Sequence, residues 1–233
     1  VPGTVAGMLY ALDKYGTLSR EDVLAPAIEL ARDGIPVSYA HHVALNSRVD
    51  TLKRNAEATR LFLTPEGAAP PIGSKWVQSD LASTLEAIAT EGRDGFYAGR
   101  VGQLIADDMA TNNGLITLED LANYQVIERE PVRGTFRDFE VVSAPPPSSG
   151  GVHIVQMLNI LEGYDLKSLG HNSAAYVHYL AEAMKYAYAD RSEYLGDPDY
   201  VDVPVAKLTD KAYAARLRSE VSDDRATPSK DIA

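Results

Sequence analysis

The sequence predicts an α+β fold, mostly helical with one β-hairpin. Three observations carry this. Apolar residues recur at helical spacing along most of the 233 residues. Gly or Pro punctuates nearly every such run. Only Val132–Phe136 and Phe139–Ser143 change to a β-branched and aromatic pattern, with Arg137-Asp138 between them as a tight turn.

The elements follow in order. Thr4–Tyr15 reads as a helix stopped by Gly16. Ser19–Arg32 reads as a second, with Ser19 as N-cap, Asp22 three residues on and Gly34 past its end. Pro26 removes a backbone donor there and is expected to kink or divide the helix. Ser38–Lys53 is expected to be helical. Asn55–Lys75, with Pro65, Gly67, Pro70, Pro71 and Gly73, reads as an irregular surface excursion. Ser79 is expected to cap a helix over Asp80–Glu91, and Asp94 one over Gly95–Asn112. Thr117 and Asp120 bracket a short capped helix through Tyr124. After the hairpin, Pro145-Pro146-Pro147 stops the strand and Val152–Glu162 reads as a helix. Asn172 is expected to cap the longest helix, Ser173–Leu195, and Thr209 or Asp210 to start a last one through Val221. Two strands cannot bury both their faces, so the hairpin is expected to join a sheet completed by strands outside this chain.

Composition narrows the function. No apolar run reaches the ~18 residues of a membrane span. A net charge of -11 argues against nucleic-acid binding, which needs a basic face. The absence of Cys excludes disulfides, zinc-thiolate sites and a Cys nucleophile, and leaves the compartment open. The chain opens on Val1 without Met or a signal peptide and closes on a polar tail, so both ends read as cuts within a longer protein.

The heptamer Pro145–Gly151, PPPSSGG, is the most unusual stretch. It reads first as a rigid strand-to-helix corner. An anion or substrate contact at the helix start and a serine nucleophile, Ser148 or Ser149 with His153, are the alternatives. His41, His42, His153, His171 and His178 show no metal-binding spacing and are expected at the surface or in caps. Asp197, Asp199 and Asp202 lack the calcium-loop pattern, and Asp107-Asp108 diverge on a helix. Tyr176, Tyr179, Leu180, Ala183, Met184, Ala187 and Tyr188 form a helical core stripe. Glu182, Lys185, Asp190 and Arg191 are expected on its solvated side. The residues alone offer no catalytic constellation.

Seven segments in sequence order nevertheless resemble the γ-glutamyltranspeptidase (glutathione hydrolase) family: VPGTVAG from Val1, LDKYG from Leu12, APAIELARDG from Ala25, GLITLEDLANY from Gly114, APPPSSGG from Ala144, VQMLNILEGY from Val155 and AEAMKYAYADRSEYLGDPDYVDVP from Ala181. They cover nearly the whole chain, as a single partial domain, residues 1–233, of the family's large subunit. The resemblance implies an αββα N-terminal-nucleophile hydrolase whose precursor cuts itself into large and small subunits. It also implies a Thr, freed by that cut, as nucleophile on γ-glutamyl amides such as glutathione, with water, amino acids or peptides as acceptors. It places the substrate-binding Arg upstream of Val1 and the Thr beyond Ile232. No catalytic, substrate-binding or metal residue is therefore expected in this chain, and no cofactor. The implied partner is the small catalytic subunit, and the implied location is the periplasm or cell exterior. The fragment is expected to be inactive alone and to expose an apolar patch to its missing partner. A non-catalytic module of the same fold and a β-lactam side-chain acylase are the alternative readings.

Overall fold

The computed structural model describes Pro2 to Ile232. It divides into two compact units, Val1–Ile127 and Glu128–Ala233.

The first unit contains α1 Thr4–Tyr15, α2 Arg20–Asp33, β1 Ile35–Pro36, α3 Tyr39–Asn46, α4 Val49–Leu52, α5 Ala56–Phe62, β2 Lys75–Trp76, α6 Ser79–Glu91, α7 Arg93–Tyr97, α8 Arg100–Thr111 and α9 Leu118–Asn123. Local chemistry explains most boundaries. The Ser19 hydroxyl accepts the Asp22 amide at 3.1 Å and caps α2. Thr117 and Asp120 form a reciprocal capping box on α9. Tyr97, fully buried, organises the interior. Its hydroxyl accepts the Ala6 amide at 3.1 Å and donates to the Pro2 carbonyl at 2.6 Å. Its ring lies nearly parallel to Tyr124 at 5.9 Å, and the Arg93 guanidinium sits 5.0 Å from the ring centre.

Several expectations change here. Pro26 lies inside α2 without dividing it, and the helix packs on α6. Ser38–Lys53 is two helices, since Ser47 and Arg48 interrupt it. Asn55–Lys75 is less irregular than its Pro and Gly content implies. The Asn55 side chain accepts the Ala58 amide at 2.8 Å and starts α5, and Lys75 pairs with Pro36 in a short antiparallel ladder. Gln78 rather than Ser79 is the cap residue of α6, and Gly95–Asn112 breaks at Ala98–Gly99 into α7 and α8.

The second unit contains β3 Val132–Phe136, β4 Phe139–Ser143, α10 Ser149–Leu161, α11 Leu166–Leu169, α12 Ala174–Tyr194, α13 Val205–Leu208, α14 Lys211–Ser219 and a 3₁₀ turn at Ser229–Asp231. The hairpin has the expected bounds, and its register sets Val132 opposite Ser143 and Phe136 opposite Phe139. Arg137 turns it at φ 53°, and the Arg137 amide donates to the Glu162 carboxylate at 2.5 Å. The central element is α10, which packs on β3, β4, α12, α13 and α14. Gly134 is what lets the hairpin approach: a Cβ there would lie 2.5 Å from Val155. Val132, Val152, Val155 and Leu208 fill one apolar cluster, and Ile160, Leu161, Ala183, Tyr186 and Ala214 another. Ser173, not Asn172, caps α12, and Asp210 caps α14. Among the described residues no helix is long and apolar enough to cross a membrane.

Candidate functional site

The PPPSSGG segment is a strand-to-helix corner. The Ser148 amide donates back to the Pro145 carbonyl at 3.1 Å, and the Ser148 hydroxyl accepts the Gly150 amide at 3.3 Å, which starts α10. Gly151 sits against the end of the strand: a Cβ there would lie 2.1 Å from the Ala144 carbonyl oxygen. Only Gly permits that approach. The peptide between Pro146 and Pro147 is cis.

His153 does not serve this corner. It is 5% exposed, and its Nδ1 meets the Gln156 side-chain oxygen at 3.2 Å. Its Nε2 is buried without a partner. Neither nitrogen reaches Ser148 or Ser149, so the hydroxyl-to-base hydrogen bond that nucleophilic catalysis requires is not formed. The histidine instead heads a buried polar chain. The Gln156 amide nitrogen donates to Asp190 Oδ2, and the Tyr213 hydroxyl lies 2.9 Å from both Asp190 oxygens. Burial, ahead of the Asp190 contact, pushes the Tyr213 hydroxyl up to about 12. Burial holds the His153 imidazole below its usual value, against the opposing Gln156 hydrogen bond. The group is therefore a neutral hydrogen-bonding network around one carboxylate.

The other candidates are dispersed. His42 Nδ1 meets the Pro70 carbonyl at 2.8 Å, and His178 Nε2 meets the Ser222 carbonyl at 2.7 Å. His41 packs edge-on against Trp76, and His171 is tilted against Tyr176. Asp107 and Asp108 are exposed, with Gln103 and Asn112 as their partners. Asp197 and Asp199 share Arg129, which reaches Asp199 at 2.6 Å and Asp197 at 3.9 Å, so this loop is closed by a cation of the chain itself. Among the described residues no three His, Asp or Glu side chains converge as a metal group.

On α12 the expected solvated side is partly wrong. Glu182 is 1% exposed and Asp190 is buried, whereas Met184 and Tyr188 face outward. The spacing of Tyr179, Glu182, Ala183, Tyr186 and Asp190 follows three turns of helix, which places both acids on the apolar stripe. That regularity was the available signal, and the charge of the two side chains obscured it.

The profile described as gamma-glutamyltranspeptidase matches residues 1–233. The chain belongs to that family. It is 49% identical to the glutathione hydrolase proenzyme of Escherichia coli (strain K12), over 99% of this chain and 40% of that protein. It is 47% identical to the acylase ACY 1 proenzyme of Pseudomonas sp. (strain SE83), over 97% of this chain and 40% of that protein. The γ-glutamyltranspeptidase structure from Helicobacter pylori superposes with a TM-score of 0.96 and 44% identity, covering 100% of this chain and 67% of that one. The α+β architecture is thus that of a γ-glutamyltranspeptidase segment. The chain spans about 40% of the length of these curated relatives.

Proposed function

We propose that this chain is the large-subunit part of a γ-glutamyl hydrolase and transferase. The supporting observation is a family match over the full chain that covers only 40% of proenzyme relatives, combined with a corner whose serines and histidine do not meet. In this reading the chain supplies no catalytic residue. A Thr outside it attacks the γ-glutamyl carbonyl carbon, the amine leaves with a proton, and the resulting ester is opened by water or an acceptor amine. The β3–β4 hairpin joins a larger sheet there, both units form one partial domain of an αββα sandwich, and the small subunit is the partner. The exposed apolar side chains Val177, Met184 and Tyr188 on one face of α12 suit such a contact. The proposed substrates are glutathione and related γ-glutamyl amides, and the proposed location is the periplasm or cell exterior.

Hydrolysis of a chromogenic γ-glutamyl anilide, by this chain alone and by the full-length self-processed protein, tests the reading. Release by the full-length protein only is expected. Turnover by the chain alone overturns the placement of the chemistry and makes Ser148, Ser149 and His153 the residues to substitute. The 47% identity to an acylase proenzyme favours one second reading, a β-lactam side-chain acylase. It prevails if the full-length protein cleaves a β-lactam side-chain amide and leaves the anilide intact.

A further inference from the structure

The segment after α14 does not simply trail away. It runs along α12 in the same direction as the helix. The His178 imidazole meets the Ser222 carbonyl at 2.7 Å, and the Tyr179 hydroxyl donates to Asp223 at 2.9 Å. One turn further, Glu182 and Lys185 take hold of a single residue. The Glu182 carboxylate accepts the Thr227 amide at 3.1 Å and the Lys185 ammonium at 2.7 Å, and that ammonium also donates to the Thr227 carbonyl at 2.8 Å. Ile232 then packs on the cluster around Tyr186.

Two features set this grip apart from ordinary packing. Glu182 is 1% exposed and its second oxygen has no partner. Lys185 stays 25% exposed, so the pair is buried at its acid end. Burying a charge in such a pair adds little net stability compared with apolar side chains of similar volume, and its best-attested use is to fix register. The sequence supplies a register check. Residue 228 is Pro, so a slip of one position would set a residue without an N–H against the Glu182 carboxylate. Burial opposes ionisation of Glu182, but the hydrogen bonds from Lys185 and Thr227 prevail and hold its carboxyl below the usual value.

We propose that Glu182 and Lys185 are positioning residues for self-cleavage of the precursor: by fixing Thr227 on α12 they set where the chain leaves this unit toward the cut. The inference rests on the functional reading above, and neither residue touches substrate.

The test uses the full-length precursor with Lys185→Met, Glu182→Gln and the paired apolar change Glu182→Leu with Lys185→Met. Three quantities are measured: the half-time of conversion to two subunits on a denaturing gel, the melting midpoint, and anilide hydrolysis per processed molecule. The paired variant is expected to melt close to wild type, to process about tenfold more slowly or worse, and to hydrolyse normally once processed. Lys185→Arg, which keeps charge and donors, is expected to recover most of the rate. Should the paired variant misfold, Thr227→Pro removes the gripped N–H from the tail side and is expected to show the same slowing. Processing at the wild-type rate in folded variants overturns the inference and leaves the functional reading intact. Slowing that merely tracks lost folded protein also overturns it. A wild-type precursor that neither cuts itself nor releases the anilide removes the functional reading, and the inference with it.

Discussion

The two units bury different chemistry. Among the described residues up to Ile127, every buried side chain is apolar or is the tyrosine at position 97. From Glu128 onward, His153, Gln156, Asn159, Glu182 and Asp190 lie in the interior as well. The first unit is held by caps and by one aromatic hub. The second is arranged around α10 and α12, whose facing sides carry hydrogen-bonding groups. Apolar burial tolerates small shifts because it is non-directional. Hydrogen bonds in a low-dielectric interior do not, since each misplaced partner leaves an unsatisfied group. The contrast implies that the second unit is the one whose geometry is specified most narrowly.

Substitutions can sharpen or break this contrast. Tyr97→Ala removes the hub of the first unit, an aromatic side chain with no exposed surface. A loss of about 3–5 kcal/mol is expected in urea unfolding. Tyr97→Phe, which loses only the bonds to Pro2 and Ala6, is expected to lose far less. An equal loss in the two variants would mean that the first unit also depends on buried polarity. Asp190→Ala comes next. It strands the Gln156 amide and the Tyr213 hydroxyl, and about 2–3 kcal/mol of stability should go with it. No change in the unfolding midpoint would show that the network contributes nothing to the second unit.

The smallest effect is expected from pH. Burial holds the His153 imidazole below its ordinary value, against the Gln156 hydrogen bond; Arg191 adds to the lowering and Asp190 opposes it. The unfolded chain therefore binds the proton at higher pH than the folded one. Stability from this residue is complete above the ordinary imidazole value of about 6.5 and is lost as pH falls below it. His153→Gln should flatten the dependence of the melting midpoint on pH just below about 6.5. An unchanged slope would assign it to other groups.

The sequence was most legible where backbone chemistry is local. Ser19, Thr117 and Asp120 state their helix starts through short-range hydrogen bonds, and the hairpin bounds follow from residue type around Arg137-Asp138. Boundaries failed where a weaker local signal competed. Asn55 starts α5 inside a stretch dominated by the Pro and Gly residues that follow it. The two-residue ladder of Pro36 with Lys75 depends on contacts far apart in sequence, which no local pattern encodes. At the candidate site, the strand-to-helix corner of PPPSSGG was readable from residue type. The partners of Gln156, Glu182 and Asp190 were not, because they lie on other elements, at Asp190, Thr227 and Tyr213.

Gly134 and Gly151 also bear on how the hairpin moves. At both positions hairpin and α10 lie too close for a single methyl group: Gly134 of the hairpin faces Val155 of α10, and Gly151 of α10 faces the Ala144 carbonyl just past β4. Contacts at two points along its length deny the ribbon a pivot. The hairpin and the helix should therefore travel as one plate, so that any force applied to the outer strand at Phe139 is delivered to the start of α10 rather than dissipated in the turn.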